Sequence, residues 1–592
     1  MSKNTSLATR QKRSVVIAAV VIVLLAIAVA IASYFVSLGE FVDVDGTKYT
    51  VKQKDGVFGL FYENGYRLET TVEDGKTYYV TDIGTMVSVS EVGKTSIYAV
   101  VDTDDGEGVS DYKRLLIFPK IASEKIQTLK ITNETGTYSF VRNSYGKMVI
   151  KGYDAVAYNE ENFAYLAGFC SSLVAMEKYP AATVDKYGLD EYGLDQPAAS
   201  FTISAGGGKS YTLHIGDPIV SGNGYYVMLE GRNTVYIINS YYSMLFSPVE
   251  AFVQPLITYG LTTTNYAEVY NFQMFSPTYD AEGNATTNRD VALTFWPLDE
   301  RIDTEYQTQV YKMTDEDLKN YIPNSSAVAE TMLGIAQPTT ATVVKLGVNE
   351  GALKKYGLDQ PQKILSFEFK AKSGSTVYLL KNYILFSKMT DNRTHYLTSI
   401  VQMSEDGGKT YYEVPAFDMI LEMDRSELPF MDWGTIDWVE RYYFHRNIMV
   451  VDSIEITTPN ETYLLRLFAD EDDVQSVTAT FGGKTIELNV KEFKIYYRNL
   501  LYGNLYDSTD LSDDQHKAIT DKSENFQYSY RIKTKVNNLD NTYAFYRLSE
   551  TKSYLTIDGD GEFFVLSSFV DKYVSDIADL VAGVPLTPLS QN

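Results

Sequence analysis

Apolar and polar positions alternate with a period of two over most of this chain, in short runs separated by glycine, asparagine and aspartate. The first such runs are Lys48–Val51, Gly56–Phe61, Lys76–Val80 and Thr95–Val101, and the Asp-Gly and Asn-Gly pairs between them are hairpin turns. A β module is therefore expected over residues 37–125. One stretch breaks the alternation before it starts. Val15 to Ala32 is an unbroken apolar run, extended by Ser33–Val36 and preceded by Lys3, Arg10, Lys12 and Arg13. About 20 apolar residues cross a bilayer's hydrocarbon core, and the basic flank stays in the cytoplasm. Residues 14–36 are thus predicted to be a transmembrane anchor, with 1–13 as a cytoplasmic tail and all that follows extracytoplasmic. Ala28-Val-Ala30 and Ala30-Ile-Ala32 resemble signal-peptidase sites, which makes cleavage the competing reading. Retention is favoured, because secretory apolar regions run to roughly 7–15 residues and this one is longer.

Beyond residue 125 the two-residue period alternates with a helical one. Asn159 is placed to cap a helix whose Phe163, Leu166, Ala167, Cys170, Leu173 and Val174 share a face. The stretch Lys186-Tyr-Gly-Leu-Asp190-Glu-Tyr-Gly-Leu-Asp195-Gln-Pro197 then returns as Lys355-Tyr-Gly-Leu-Asp-Gln-Pro361. A glycine just past a helical turn takes the left-handed conformation that ends a helix, and the proline prevents a restart. Thr183–Leu189 and Asn349–Leu358 therefore read as short helices capped by Gly188 and Gly357, with Gly193 able to stand in for Gly188.

Aligned on this joint, the chain repeats a cycle of hairpin, helix, joint, two hairpins and short helix. The first repeat covers 126–257, with strands at Ser200–Ser204, Tyr211–Ile215, Tyr225–Leu229 and Thr234–Ile238, closed by Ser240–Phe252. The second covers 258–425. Its helical stretches fall between Thr314 and Ala336, its later strands at Leu365–Phe369, Thr376–Leu380, His395–Thr398 and Thr410–Val414, and Ala416–Met423 is its closing helix. A third, divergent repeat covers 453–592: Asn489 and Glu492 make a capping-box-like start for a helix bearing Phe493, Tyr496, Leu500 and Leu501, and a polar stretch, Asp507–Asn525, replaces the joint. The fold class expected is α+β, a single transmembrane helix followed by strand-rich extracytoplasmic repeats of β-hairpins with packed helices.

The connector 426–452 has unusual chemistry, since Pro429–His445 holds two of the three tryptophans. It is read as packing between the second and third repeats, in preference to an exposed partner-binding patch. At 592 residues the chain exceeds one core, and 48 tyrosines suit amphipathic sheets. A net charge of −25 repels phosphate backbones, which excludes nucleic acid as a partner. Cys170 is the single cysteine, so no intrachain disulfide forms.

Motifs for chemistry are sparse. Gly206-Gly-Gly-Lys-Ser210 resembles the end of a phosphate loop, but it joins two strands and lacks the first glycine, so a hairpin turn is expected. Asp102-Thr-Asp-Asp-Gly106 and Asp558-Gly-Asp-Gly-Glu562 are oxygen-rich turns without the spacing of a calcium loop. His214, His395, His445 and His516 are too far apart in sequence to pair on a helix around a metal, and His214 is expected to face solvent. No Gly-x-Ser-x-Gly elbow occurs. A carboxylate pair for glycan hydrolysis has no sequence position. Accordingly no catalytic, cofactor-binding or metal-binding residue is singled out, no cofactor is expected, and the protein is read as not an enzyme.

The joint, the glycine-turned hairpins after it, and Leu213-His-Ile-Gly-Asp217 with Gly224-Tyr-Tyr-Val227 resemble a bacterial family known as domain of unknown function 4340. The resemblance is clearest over 126–257 and weaker over 266–425. It implies one N-terminal membrane helix, a repeated α+β extracytoplasmic part, and gene neighbours similar to gliding-motility-type ABC exporters. The family has no established catalytic or binding residues, so none is carried over. The expected role is that of a non-catalytic, membrane-anchored scaffold or binding protein. The bilayer holds its N-terminal helix, and the membrane subunit of an ABC-type transporter is its partner. The alternatives are a cell-surface adhesion or envelope-spacer protein and an exported glycan hydrolase.

Overall fold

The computed structural model describes strand segments between residues 40 and 101, residues 115–117 and 121, and 123–589 apart from 172, 180, 207, 232–233, 297–302, 305–306, 309, 471–472, 510 and 536–538. The expected anchor, 14–36, and the acidic turn Asp102–Gly106 lie outside the described residues. Among those described, no helix is long and apolar enough to cross a membrane.

Before residue 102 the predicted hairpins form two antiparallel sheets. One joins Glu40–Val44, Thr47–Lys54 and Val57–Phe61; the other joins Thr70–Glu73, Lys76–Val80, Met86–Val92 and Thr95–Val101. The chain forms two compact units that divide between Gln254 and Pro255.

Within the first unit, β1 (Ile126–Asn133), β2 (Gly136–Arg142) and β3 (Met148–Ile150) lead into helix α1 (Glu160–Ser171). A short strand, β4 (Glu177–Tyr179), and helix α2 (Ala181–Tyr187) precede the joint. After it come β5 (Ala199–Ala205), β6 (Lys209–Pro218), β7 (Gly224–Leu229) and β8 (Val235–Asn239). The eight-stranded antiparallel sheet has the order β3-β2-β1-β5-β6-β7-β8-β4. The first hairpin thus pairs with the strand after the joint, and the strand before the joint closes the far edge.

The second unit contains this topology twice more. In the second copy, β9 (Val269–Tyr279), β10 (Ala285–Phe295) and β11 (Tyr311–Met313) precede α3 (Ser325–Ala336). Next are β12 (Thr342–Leu346), α4 (Glu350–Lys355), β13 (Lys363–Ser373), β14 (Thr376–Phe386), β15 (Thr394–Ser404) and β16 (Met419–Asp424). Their order is β11-β10-β9-β13-β14-β15-β16-β12.

The third copy opens with β17 (Val451–Thr457), β18 (Thr462–Ala469), β19 (Val474–Phe481) and β20 (Lys484–Glu487) before α5 (Val490–Leu501). It continues through β21 (Asp507–Ser508), α6 (Asp513–Thr520), β22 (Phe526–Thr534), β23 (Asp540–Arg547), β24 (Lys552–Ile557) and β25 (Phe563–Leu566). Its order is β20-β19-β18-β17-β22-β23-β24-β25-β21. The third copy therefore keeps the topology although it lacks the joint sequence. A different device ends the loop there: Ser512 and Gln515 form a capping box that starts α6 within the polar stretch.

In each sheet the alternation sends every second side chain to a core beneath the long helix and the closing segment. Phe140 packs edge-on against Phe252 at 5.2 Å, and Phe169 of α1 against Phe201 at 4.7 Å. Burying each such ring contributes about 1.5–3 kcal/mol. The helix differs from the expectation in detail: α1 ends at Ser171, Ala167 is exposed, and the buried face is Leu166, Phe169 and Cys170.

The helix caps also tie each long helix to the closing segment of its own copy. The Asn159 side chain accepts from the Asn162 N–H at 3.2 Å, while the Asn159 N–H donates to the Phe252 carbonyl at 3.0 Å. In the second copy Asn324 accepts from the Ala327 N–H at 3.2 Å and its own N–H donates to the Trp438 carbonyl at 2.9 Å. Isolated bridges follow at Tyr158–Val253 and Pro323–Val439. Trp438 is thus the counterpart of Phe252, and the closing segment of the second copy is 425–438.

This corrects the expectation of a closing helix at Ala416–Met423. Pro415–Phe417 is a single turn and Met419–Asp424 is strand β16, paired with both β15 and β12. The reason is burial on both faces. Ile420 faces a small cluster with Ala352 and Leu358 while Leu421 and Met423 face the main core, so the run lacks the alternation that marks a half-exposed strand. The strand expected at Thr410–Val414 shrinks to Tyr412–Glu413.

Candidate functional site

Two features of the fold could carry function: the joints that set the far edge of each sheet, and the sheet faces opposite the long helices.

At the first joint both glycines are used. Gly188 has φ +87° and Gly193 φ +63°, and the second joint's Gly357 has φ +66°. The bond from the Leu194 N–H to the Leu189 carbonyl (2.9 Å) matches that from Leu358 to Leu353 (2.8 Å), so Gly193 is the counterpart of Gly357. Gly193 is not a stand-in for Gly188. The residues behind the family resemblance are fitted to this joint. A Cβ on Gly216 would overlap the Tyr192 carbonyl oxygen, and one on Gly224 would overlap the Ile238 carbonyl oxygen. The joint then buries Tyr192 and Leu194 with Val184 and Val235. Leu213-His-Ile-Gly-Asp217 is therefore a packing motif, with Leu213 and Ile215 in the core and His214 half-buried on the opposite face.

Gly193→Val is accordingly expected to lower the calorimetric midpoint more than Gly188→Val. Both lose about 1 kcal/mol or more to the left-handed backbone. At Gly193 the new Cβ also meets the Asp217 backbone nitrogen at 2.8 Å, whereas at Gly188 it meets only the Asp190 side chain, which can rotate away. Equal shifts would argue against this account.

The residues singled out for chemistry are dispersed. Gly206 and Gly208 lie in the turn between β5 and β6, as the hairpin reading requires. In the acidic turn, Asp558 accepts from the Thr542 N–H (2.7 Å) and the Asn541 side chain (2.7 Å), Asp560 pairs with Lys319 at 3.0 Å, and Glu562 accepts from Ser508. These carboxylates point at different partners. His445 lies against the Tyr442 ring at 5.0 Å, and His516 Nδ1 is 2.8 Å from the Tyr554 hydroxyl. Among the described residues no group of three or more His, Cys, Asp or Glu could hold a metal ion. Cys170 is fully buried, and burial pushes its thiol well above the ordinary range.

His395 lies in the core of the second copy, with Nδ1 2.9 Å from the Ser387 carbonyl. Burial lowers its pKa, the Ser387 contact partly opposes this, and Arg425 adds to the lowering. Its imidazole stays neutral in the fold at pH values where the unfolded chain has taken up a proton. Stability should therefore fall as pH drops below the ordinary value of 6.5. Urea midpoints measured from neutral pH downward are expected to decline, and His395→Phe should flatten that decline. An unchanged slope in the variant would count against a role for His395.

The connector turns Phe430, Trp438, Tyr443 and Phe444 into the interior. Trp438 packs against Phe272 at 5.5 Å and Trp433 at 5.2 Å, while Phe444 packs against Tyr530 at 5.4 Å and Tyr543 at 5.5 Å. It thus joins the cores of the second and third sheets. Further contacts lock these copies together: Tyr321 meets Phe563 edge-on at 4.9 Å and its hydroxyl accepts from the Glu562 N–H at 3.2 Å, and Asn320 donates to the Ile557 carbonyl at 2.8 Å. A buried polar knot, invisible to sequence reasoning, holds the connector's start. Lys363 Nζ donates at 2.6 Å to each of Asp290 Oδ2, Ser276 Oγ and the Trp433 carbonyl.

The opposite sheet faces are covered near the joints and elsewhere carry distinct side chains. The first presents hydroxyls, with Thr202 and Thr212 3.2 Å apart and Thr132 and Thr137 3.0 Å apart. The second presents Val377 and the cross-strand neighbours Tyr383 and Ile400, all exposed, with Lys381 over the Tyr411 ring at 4.3 Å. On the third, Arg531 pairs with Asp540 at 2.6 Å.

These features define a tandem α+β repeat protein built on antiparallel sheets. Residues 158–259 match the family described as Domain of unknown function (DUF4340), a span that takes in α1, the joint, β5–β8 and the closing turns of the first copy. No curated protein matches the chain.

Proposed function

We propose that this protein is a membrane-tethered extracytoplasmic scaffold, non-catalytic itself, that holds a component of an ABC-type transport system at the bilayer surface. The observation that carries the reading is one topology used three times, with the second and third copies fused through a connector. The fused second and third copies keep two dissimilar faces at set positions, which is of use to a binding protein. The basic flank and apolar run before residue 37 supply the tether, and confinement at a membrane raises the effective concentration of these faces for a partner there. The partner class rests on the family resemblance.

Protease added to intact, wall-stripped cells is expected to degrade the protein from Phe41 onward and leave the anchor. A mature N-terminus at Ser33, or protection of the bulk, would overturn the topology. The role is tested by replacing the full chain with residues 38–592. A scaffold should lose function without its anchor and should co-purify, when full-length in mild detergent, with a transporter membrane subunit. Full rescue by the soluble segment would instead favour the glycan hydrolase, and capture of no membrane protein would favour the envelope spacer.

A further inference from the structure

The core of the second copy contains polar side chains that no protein group satisfies. Asn382 on β14 is fully buried, and neither its Oδ1 nor its Nδ2 has a hydrogen-bond partner. Ser399 on β15 is 6% exposed, and its Oγ is equally without one. The register makes them neighbours. Asn382 stands opposite Val401 and Ser399 opposite Ile384, so the two are diagonal residues on the core face of adjacent strands. Thr331, on the buried face of α3, adds a third hydroxyl without a partner.

The first copy shows that the architecture does not require these groups. Counting from the joint prolines, Pro197 and Pro361, brings Leu365 onto Phe201, Ile384 onto Leu213 and Asn382 onto Tyr211. The next strand pair brings Ser399 onto Leu229. Counting from the cap residues Asn159 and Asn324 brings Thr331 onto Leu166. The first copy therefore has Leu166 and Leu229, both buried, where the second has Thr331 and Ser399. In the third copy the helix position is Tyr496, whose hydroxyl is bonded to that of Tyr528.

Diagonal cross-strand residues are roughly 7–8 Å apart, too far for a direct bond between an amide and a hydroxyl on short side chains. One water making two bonds of about 2.8 Å spans such a gap once the side chains lean toward it. The groups are neutral and include both donors and acceptors, which suits water and gives an ion no counter-charge. We infer that the second copy holds an internal water between Asn382 and Ser399, a buried hydration site at whose two positions the first copy has Tyr211 and the apolar Leu229.

A double-mutant cycle on the full-length chain tests this. Asn382→Leu and Ser399→Leu should each lower the thermal midpoint, because each leaves the water with one partner fewer, and the double variant should recover most of the loss. Additive losses would overturn the proposal. If a variant fails to fold, a high-resolution crystal structure of the unmutated chain decides the matter. Solvent density bonded to both side chains supports the site. A dry layer, or a bond from Asn382 to a protein group, refutes it.

Discussion

Asp290→Ala is expected to destabilise the second compact unit by about 3–5 kcal/mol, the range for removing one partner of a buried ion pair. Lys363 and Asp290 are both almost fully buried, and the Lys363 ammonium has three oxygen partners, of which only Asp290 carries charge. Without that carboxylate a cation remains in a low-dielectric core, held by Ser276 and the Trp433 carbonyl alone. Lys363→Met strands the opposite charge and should also be costly. The paired variant Asp290→Leu/Lys363→Met removes both charges and should cost less than either single change, because the desolvation penalty disappears with the pair. Denaturant titration of the four proteins provides the test, and a double variant as damaged as the sum of the singles would refute it. Exposed pairs such as Arg531–Asp540 should be removable with little effect, since solvent screens them.

Trp438→Ala should be comparably damaging, at about 3–5 kcal/mol for deleting a large core aromatic. Trp438 is completely buried between Phe272 of β9 and Trp433, in the segment that closes the second copy and leads into the third. Its indole N–H has no hydrogen-bond partner. The loss is thus one of packing, and Trp438→Phe should retain most of the stability, with a cost of about 1.5 kcal/mol or somewhat more for the smaller ring. If phenylalanine proved as harmful as alanine, packing would not explain the residue. Because the third sheet shares the connector through Phe444, Trp438→Ala should also broaden or split the calorimetric transition of this unit.

Some of this molecule was legible from short-range chemistry. Asn159 and Asn489 start helices because a side-chain amide satisfies N–H groups within its own turn. Even here a neighbour could redirect a side chain: Glu492 was placed to complete a capping box, yet its carboxylate accepts from the Leu586 N–H at 2.7 Å. The buried polar knot was less legible. Lys363 occupies an inward position in an alternating strand, where a charge reads as an exception, and nothing near it in sequence announces Asp290 or Trp433.

What the sequence by itself determined are features caused by neighbours along the chain: the two-residue alternation of the hairpins, the helix caps, the left-handed glycines of the joints and the tight glycine turn between β5 and β6. Only the tertiary structure decided which strands are partners at long range. It set β4, β12 and β21 at the far edges of their sheets, made Trp438 the equivalent of Phe252, gave the third copy its topology without the joint, and turned Ala416–Met423 from an expected helix into a strand. The physical reason is that periodicity reports how many faces of a segment are buried, and residues buried on both faces lose it. Which surface does the burying depends on groups tens to hundreds of residues away, as with Asn320 and Ile557.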